Sequence, residues 1–375
     1  MSKPDLLERA LGEHGLPSIS AAVFEDGEVT WSETVGDARP DTQYAIASVT
    51  KTFVAATLLE LRVDLDEPTR FGTPRQLLSH TSGLQRELPG DDWATLEFPA
   101  RVEVVARFDQ AEHVLPPGRF HYSNLGYLVL GELVAERAGK PFEDAILALL
   151  LEPHGLHRTT WEAEEPYARG FVHERPERKL TKCGTSASGG LWSTAGDVAR
   201  WGAHLLGLDE LHRPYAHAGW GEAFGLGVTC VRVDGRELWG HEGATVGFRS
   251  MVLYDRDARV GAAVLTNATQ PAELRALAAS LVPPGGRQRE AEPPPPDVDG
   301  ILGSWWSEGI EHRLRWTGRL ETDDAVFVQE APDRFRSVQG HEEGEVLRVV
   351  RDDDVEPIEL WWAGYPFRRT VGYSY

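Results

Sequence analysis

Apolar residues along this chain fall into runs of two different periods. Residues 19–24 and 29–35 are β-prone stretches flanking Glu25-Asp26-Gly27-Glu28, a turn with Asp-Gly at its centre, and they predict a hairpin. Residues 47–61 are apolar nearly all round over helical length, with Lys51 as their one cation, so this helix belongs in the interior. Helical patterns follow at 125–136, 142–151 and 194–206, the last with Asp197 and Arg200 on its expected exposed side. Strand character returns at 225–233, 238–239, 250–254 and 260–266, with turns at Val233-Asp234-Gly235 and Tyr254-Asp255, before a helix at 271–281. A sheet in this part of the chain must therefore be assembled from both ends of the segment, with helices between.

Punctuation then divides the chain. Residues 283–299 contain Pro283-Pro284-Gly285-Gly286 and four consecutive prolines, Pro293 to Pro296, which remove backbone donors and fix φ. They read as a semi-rigid linker between a domain at 1–282 and a second at 300–375. The second alternates strongly, as in Ala325-Val326-Phe327-Val328 and Val346-Leu347-Arg348-Val349, and predicts a small all-β module, a barrel by preference. Of Trp305-Trp306 and Trp361-Trp362, at least half are expected inside that module; the rest could serve self-association into a homo-oligomer, or the module could cap a pocket.

Composition narrows the partners. A formal net charge of −21 repels phosphate backbones and anionic lipid, so neither nucleic acid nor a membrane surface is an expected partner. There is no run of about 18 apolar residues and no secretory h-region, which makes the cytoplasm the default expectation. Cys183 and Cys230 lack metal-ligand spacing and are expected as two buried thiols. The histidines His80, His154 and His157 are scattered, and no metal or cofactor is expected.

Three short constellations carry chemistry. Ser48-Val49-Thr50-Lys51 places a hydroxyl and an amine on one helix face, and the apolar run beyond Lys51 leaves its charge little room to reach water. Burial lowers a lysine pKa and frees the neutral amine that a serine nucleophile requires as base. By chance this spacing arises about once in four such chains, so alone it says little. Tyr122-Ser123-Asn124 enters a helix; a phenol whose pKa cations depress can relay a proton, and an amide side chain can hold a substrate carbonyl. His241-Glu242-Gly243-Ala244 follows a strand-like segment, whereas the rival His217-Ala218-Gly219 lies in an Ala- and Gly-rich stretch expected to be a loop. Glycine at 243 would let the backbone approach a ligand, and the Ala244 and Ser48 amides could together form an oxyanion hole.

In this order the three motifs resemble those of the serine β-lactamase and penicillin-binding-protein superfamily, in the branch of class C β-lactamases, D-Ala-D-Ala carboxypeptidases, D-aminopeptidases and esterases. The segments Leu77-Leu78-Ser79-His80-Thr81-Ser82-Gly83-Leu84 and Gly189-Gly190-Leu191-Trp192-Ser193-Thr194 are also similar to that branch. The resemblance spans residues 16–282 and implies an α/β (α+β) fold, an antiparallel sheet flanked by helices; the final residues resemble a small appended lipocalin-like β-domain. It implies Ser48 as nucleophile, Lys51 as its base and Tyr122 as proton relay. Asn124, His241, Gly243 and Ala244 would bind a small-molecule or peptide substrate. Histidine stands where relatives often carry a lysine, which weakens recognition of a substrate carboxylate. Hydrolysis of an ester or amide, a D-amino-acid peptide among them, is the leading expectation. Aminolysis by a transferase or cyclase, true β-lactamase or carboxypeptidase activity, and a non-catalytic binding protein are the alternatives.

Overall fold

The computed structural model describes all residues except 1, 173–174, 177–182, 220, 234–235, 270–272, 283–292, 308–309, 323–324, 341 and 371–375. The chain divides into two compact units, Met1–Gly286 and Arg287–Tyr375. The turn at Asp234-Gly235 and most of the proline-rich linker lie outside the described residues.

The first unit is built on an antiparallel sheet of eight strands. In spatial order these are Glu28–Gly36, Ser18–Glu25, Val260–Thr266, Phe248–Asp255, Arg236–Thr245, Thr229–Val233, Glu222–Phe224 and Ala216–Gly219. The amino-terminal hairpin thus pairs with the last strand of the unit, Ile19 facing Thr266 and Glu25 facing Val260. Val260–Thr266 is buried at every position, and Ser18–Glu25 at all but its last. An antiparallel strand buried on both faces needs layers on both sides. Helices Lys3–His14 and Leu274–Leu281 cover one face, and Ala195–Leu205 leads the helical layer on the other.

That helical layer packs closely at named points. Gly202 lies so near the sheet that an added Cβ would stand 2.8 Å from Val252 Cγ2 and 2.9 Å from Phe24 Cε1. Beside it, Trp201 is wholly buried, stacks on Phe53 at 4.0 Å between ring centroids, and donates its indole N–H to Thr52 at 2.7 Å. Phe53 belongs to Thr50–Glu60, of which residues 50–58 are all buried, so the all-round apolar pattern correctly placed this helix inside. Asn124–Ala138 packs on it from the other side.

Several expectations are corrected. The segment 142–151 is one α-turn, Phe142–Ile146, followed by a π-helical turn, Leu147–Leu151. The strand expected at 225–233 begins only at Thr229, and 238–239 is the middle of a ten-residue strand. His217 is in an edge strand, not a loop. Asp197 is buried, because it accepts hydrogen bonds from the Arg158 amide at 2.8 Å and the Thr159 hydroxyl at 3.2 Å; Arg200 alone of that pair is exposed. Both cysteines are free and only partly buried.

The second unit is an eight-stranded antiparallel meander from Gly303–Ser307 to Tyr365–Phe367. Trp306 and Arg368 exchange backbone hydrogen bonds at 2.8 and 3.0 Å, which joins the first strand to the end of the last and closes a barrel. Trp305 and Trp362 lie in its core with Phe327, Phe335 and Phe367, while Trp306 and Trp361 are partly exposed. A short helix, Pro296–Asp299, contributes Val298 to the same core.

Replacing Trp201 by Ala removes a stacked indole and the hydrogen bond it donates to Thr52, whose hydroxyl keeps only its bond to the Val49 carbonyl. The expected cost is about 3–5 kcal/mol, read as a lowered denaturant midpoint; a loss under 1 kcal/mol would contradict the packing described.

Candidate active site

Ser48 sits on a single 3₁₀ turn, Ala47–Val49, that leads straight into Thr50–Glu60. Ala47 takes a positive φ of 45°, a left-handed conformation that non-glycine residues rarely adopt and that surrounding contacts must enforce. Those contacts come from the strand Arg236–Thr245. At Gly243 an added Cβ would lie 2.3 Å from the Ile46 carbonyl oxygen and 2.2 Å from Ser250 Oγ, and Ser250 donates to that same carbonyl at 2.7 Å. The packing of strand on turn therefore requires glycine at this position. This contact carries the neighbouring Ala244 toward the Ser48 turn.

One helical turn on, Lys51 has no exposed surface. Its Nζ donates to Ser48 Oγ at 3.0 Å and to the Ser188 carbonyl at 2.5 Å. Desolvation lowers the amine's pKa to about 7, against the opposing pull of the Glu87 carboxylate and with help from Arg86. The Tyr122 and Tyr127 rings lie 5.2 and 5.3 Å from the nitrogen.

Tyr122 bonds the Ser48 hydroxyl, so the serine oxygen is held between amine and phenol. The expectation that cations depress this phenol is overturned: burial raises its pKa to about 12, and the bond to Ser48 and the charge of Arg86 only partly offset that. Tyr122 stays protonated at neutral pH. Beneath it lies His80, stacked at 4.2 Å, with Nδ1 accepting from the Ser123 amide at 3.0 Å. His80 is buried and held neutral, first by desolvation and then by Lys51. The sequence marked it as scattered; it is the floor on which the phenol rests.

Asn124 is the first residue of Asn124–Ala138, whose amino terminus Ser123 caps by accepting from Gly126 at 3.0 Å. Asn124 Nδ2 donates to Glu87 at 2.5 Å, and its buried Oδ1 has no partner. His241 turns Nδ1 toward the Glu242 carbonyl at 2.6 Å, which assigns that nitrogen the proton and leaves the buried Nε2 as an unpartnered acceptor. Burial, then the proximity of Lys51, pushes the imidazole down to about 3, so it is neutral across the working range.

The structure thus brings Ser48, Lys51, Tyr122, Asn124 and His241 around one centre, with Ala244 on the flanking strand. It adds His80, Ser188, Arg86 and Glu87. Of these only His80 lay in a segment that the resemblance had marked. Glu87 had no sequence signal, because its role depends on a partner 37 residues away. Among the described residues no helix is long and apolar enough to cross a membrane, and no group of three or more His, Cys, Asp or Glu could hold a metal ion.

Comparison with known proteins places these features in context. The family model described as "Beta-lactamase" matches residues 5–283, and a second, described as a domain of unknown function (DUF7586), matches residues 294–369. The D-alanyl-D-alanine-carboxypeptidase/endopeptidase AmpH of Escherichia coli K12 is 29% identical over 231 residues, covering 52% of this chain and 58% of that protein. A D-aminopeptidase of Gluconobacter oxydans is 25% identical over 331 residues, covering 74% of this chain and 61% of its own length. The chain spans about half the length of the curated relatives it matches, from 37% to 58% of the first three. Among solved structures, the octameric penicillin-binding protein homologue from Pyrococcus abyssi shares the fold at a TM-score of 0.66, with 22% identity, covering 97% of this chain and 98% of that one.

Lys51 makes stability depend on pH in a defined sense. Its amine is neutral when folded above about pH 7 but protonated in the unfolded chain up to about 10.5, so stability should rise with pH between those values. Below pH 7 burial of the charge costs the folded state about 5 kcal/mol. The variant Lys51→Met should be more stable than the parent at pH 6, by an amount that shrinks steadily toward pH 10 in chemical denaturation. A pH-independent difference would show that the amine is not desolvated.

Proposed function

Since the chain belongs to the β-lactamase family of serine hydrolases, we propose that it cleaves an ester or amide through an acyl-Ser48 intermediate. One observation carries this reading: a fully buried amine with a pKa near 7 stands 3.0 Å from a hydroxyl that is partly open to solvent. The neutral Lys51 amine takes the proton from Ser48 Oγ as that oxygen bonds the substrate carbonyl carbon. Negative charge develops on the carbonyl oxygen, which the Ser48 and Ala244 amides would stabilise as an oxyanion hole. Collapse of the tetrahedral adduct breaks the bond to the leaving group, which takes its proton from Tyr122, a phenol that burial keeps protonated and that bonds the same serine oxygen. Water then attacks the acyl group and passes a proton to the Tyr122 oxygen, and Lys51 returns its proton to Ser48 Oγ as the ester bond breaks, which restores all three groups. His80 holds the phenol's ring in place.

A neutral His241 removes the cation with which a third-motif lysine would hold a substrate carboxylate. That supports an esterase or aminopeptidase in preference to a β-lactamase or carboxypeptidase. Similarity to the Gluconobacter D-aminopeptidase points the same way and supports D-amino-acid amides as substrates.

A fluorophosphonate should add one label to the intact mass of the parent and of Ser48→Ala none, while Ser82→Ala, which alters a buried hydroxyl bonded to the Leu84 amide, keeps the label. Labelling of Ser48→Ala would reject the nucleophile. For the parent, kcat/KM on a p-nitrophenyl ester should rise with pH to a plateau with a midpoint near 7, because the unprotonated amine is the active form. A flat profile from pH 5.5 to 8.5 would remove Lys51 as the base.

A further inference from the structure

The pocket beside Ser48 is lined by hydrogen-bond acceptors whose donors are missing. Asn124 is 8% exposed, and with Nδ2 committed to Glu87 its Oδ1 is buried without a partner. Glu87 is half-buried and bonded to Asn124 and Trp93. A carboxylate with more lone pairs than partners retains acceptor capacity after both bonds. Of the donors nearby, Lys51 Nζ directs two of its N–H groups to Ser48 and Ser188. Arg86 is exposed, with its guanidinium over the Tyr122 ring at 4.9 Å.

Charge follows the same pattern. The imidazoles of His80 and His241 are neutral, and Lys51 must be neutral to act as a base. In the working state Glu87 is left as the carboxylate of this group: burial raises its pKa, and the bond from Asn124 and the charges of Lys51 and Arg86 oppose that rise. A cleft of about 80 Å³ lined by Glu87, Trp93, Phe98 and Leu128 adjoins this carboxylate, and Asp92 and Arg107, which also line it, pair with each other at 3.1 Å. Trp93 and Phe98 also wall a second cleft of about 60 Å³ that reaches Ser188, Gly189 and Thr245 beside the Ser48 turn.

With Arg107 already paired to Asp92, a protonated primary amine brings three N–H donors and one positive charge to Glu87 on a group small enough for the cleft. It can donate to a Glu87 oxygen and to Asn124 Oδ1. A substrate carboxylate in the same place would meet a like charge and a carbonyl oxygen. We propose that Glu87 and Asn124 bind the ammonium group on the acyl half of the substrate, so that α-amino acyl amides and esters are the preferred class. This rests on the acyl-Ser48 reading and names the feature of the substrate that site selects. Glu87 here is a binding residue, and Asn124 contributes through Oδ1 while its Nδ2 fixes the carboxylate.

The test compares alanine p-nitroanilide, N-acetylalanine p-nitroanilide and propionyl p-nitroanilide, in both enantiomers where they exist, on the intact protein. The free amine should lead both analogues by at least ~10-fold in kcat/KM, mostly through KM, as expected of one charge-assisted contact. Taking the ratio at a single pH cancels the ionisation of Lys51. Glu87→Gln, which keeps an oxygen for Asn124, should bring the ratio to within about twofold of one, and Glu87→Asp should restore part of it. Should the Gln variant not fold, the parent's ratio measured from pH 6.5 to 9.5 serves instead: it should fall as the substrate amine, near pKa 8, loses its proton. Equal rates on all three substrates with Ser48 labelled by fluorophosphonate would overturn the ammonium site alone, as would an undiminished ratio in Glu87→Gln. No turnover and no label on Ser48 would overturn both readings together.

Discussion

Ionising the Lys51 amine where it lies is costly, and the rest of the site is arranged around that constraint. Held 3.0 Å from Ser48 Oγ with no exposed surface, the nitrogen can be neutral at moderate pH because water does not reach it. The same burial that makes it a base raises Tyr122 and lowers His241, so the pocket holds a weak base, a protonated phenol and a neutral imidazole at one pH. Separate devices for each shift are unnecessary, since one dry environment produces all three.

Geometry is held by packing that contributes no chemistry itself. A glycine at 243 lets a strand press against the Ile46 carbonyl, and Ala47 accepts a left-handed conformation in consequence, which turns the next residue toward the pocket. The helix below is locked by the Phe53–Trp201 stack and by the close approach of Gly202 to the sheet. The position of Ser48 is thus set by three elements far apart in the chain: the 47–49 turn, the strand Arg236–Thr245 and the helix Ala195–Leu205.

Legibility differed by kind of feature. The hairpin 18–36 and the strand Val260–Thr266 were readable, since period-two runs and an Asp-Gly turn are local properties. The buried helix was readable because apolar residues surround it. Asp197 was misplaced because a first-turn carboxylate on a helix usually faces water, and only the distant Arg158 amide explains its burial. The 142–151 segment was given one helix because apolar spacing does not separate an α from a π turn. Tyr122 was expected to be acidified by cations, but Arg86, whose guanidinium lies 4.9 Å from the ring, only partly offsets the desolvation of the buried phenol.

The linear order of residues by itself determined the Ser48–Lys51 pair, since a spacing of three on a helix brings two side chains together whatever surrounds them. It also determined that this helix would be interior. Tertiary structure alone decided what that pair confronts: the Ser188 carbonyl, the His80 floor, the neutral His241 and the Glu87 carboxylate bound to Asn124. The physical reason is that hydrogen-bond satisfaction and solvent exclusion depend on neighbours remote in sequence. Local periodicity reports which face is buried and is silent on what it is buried against.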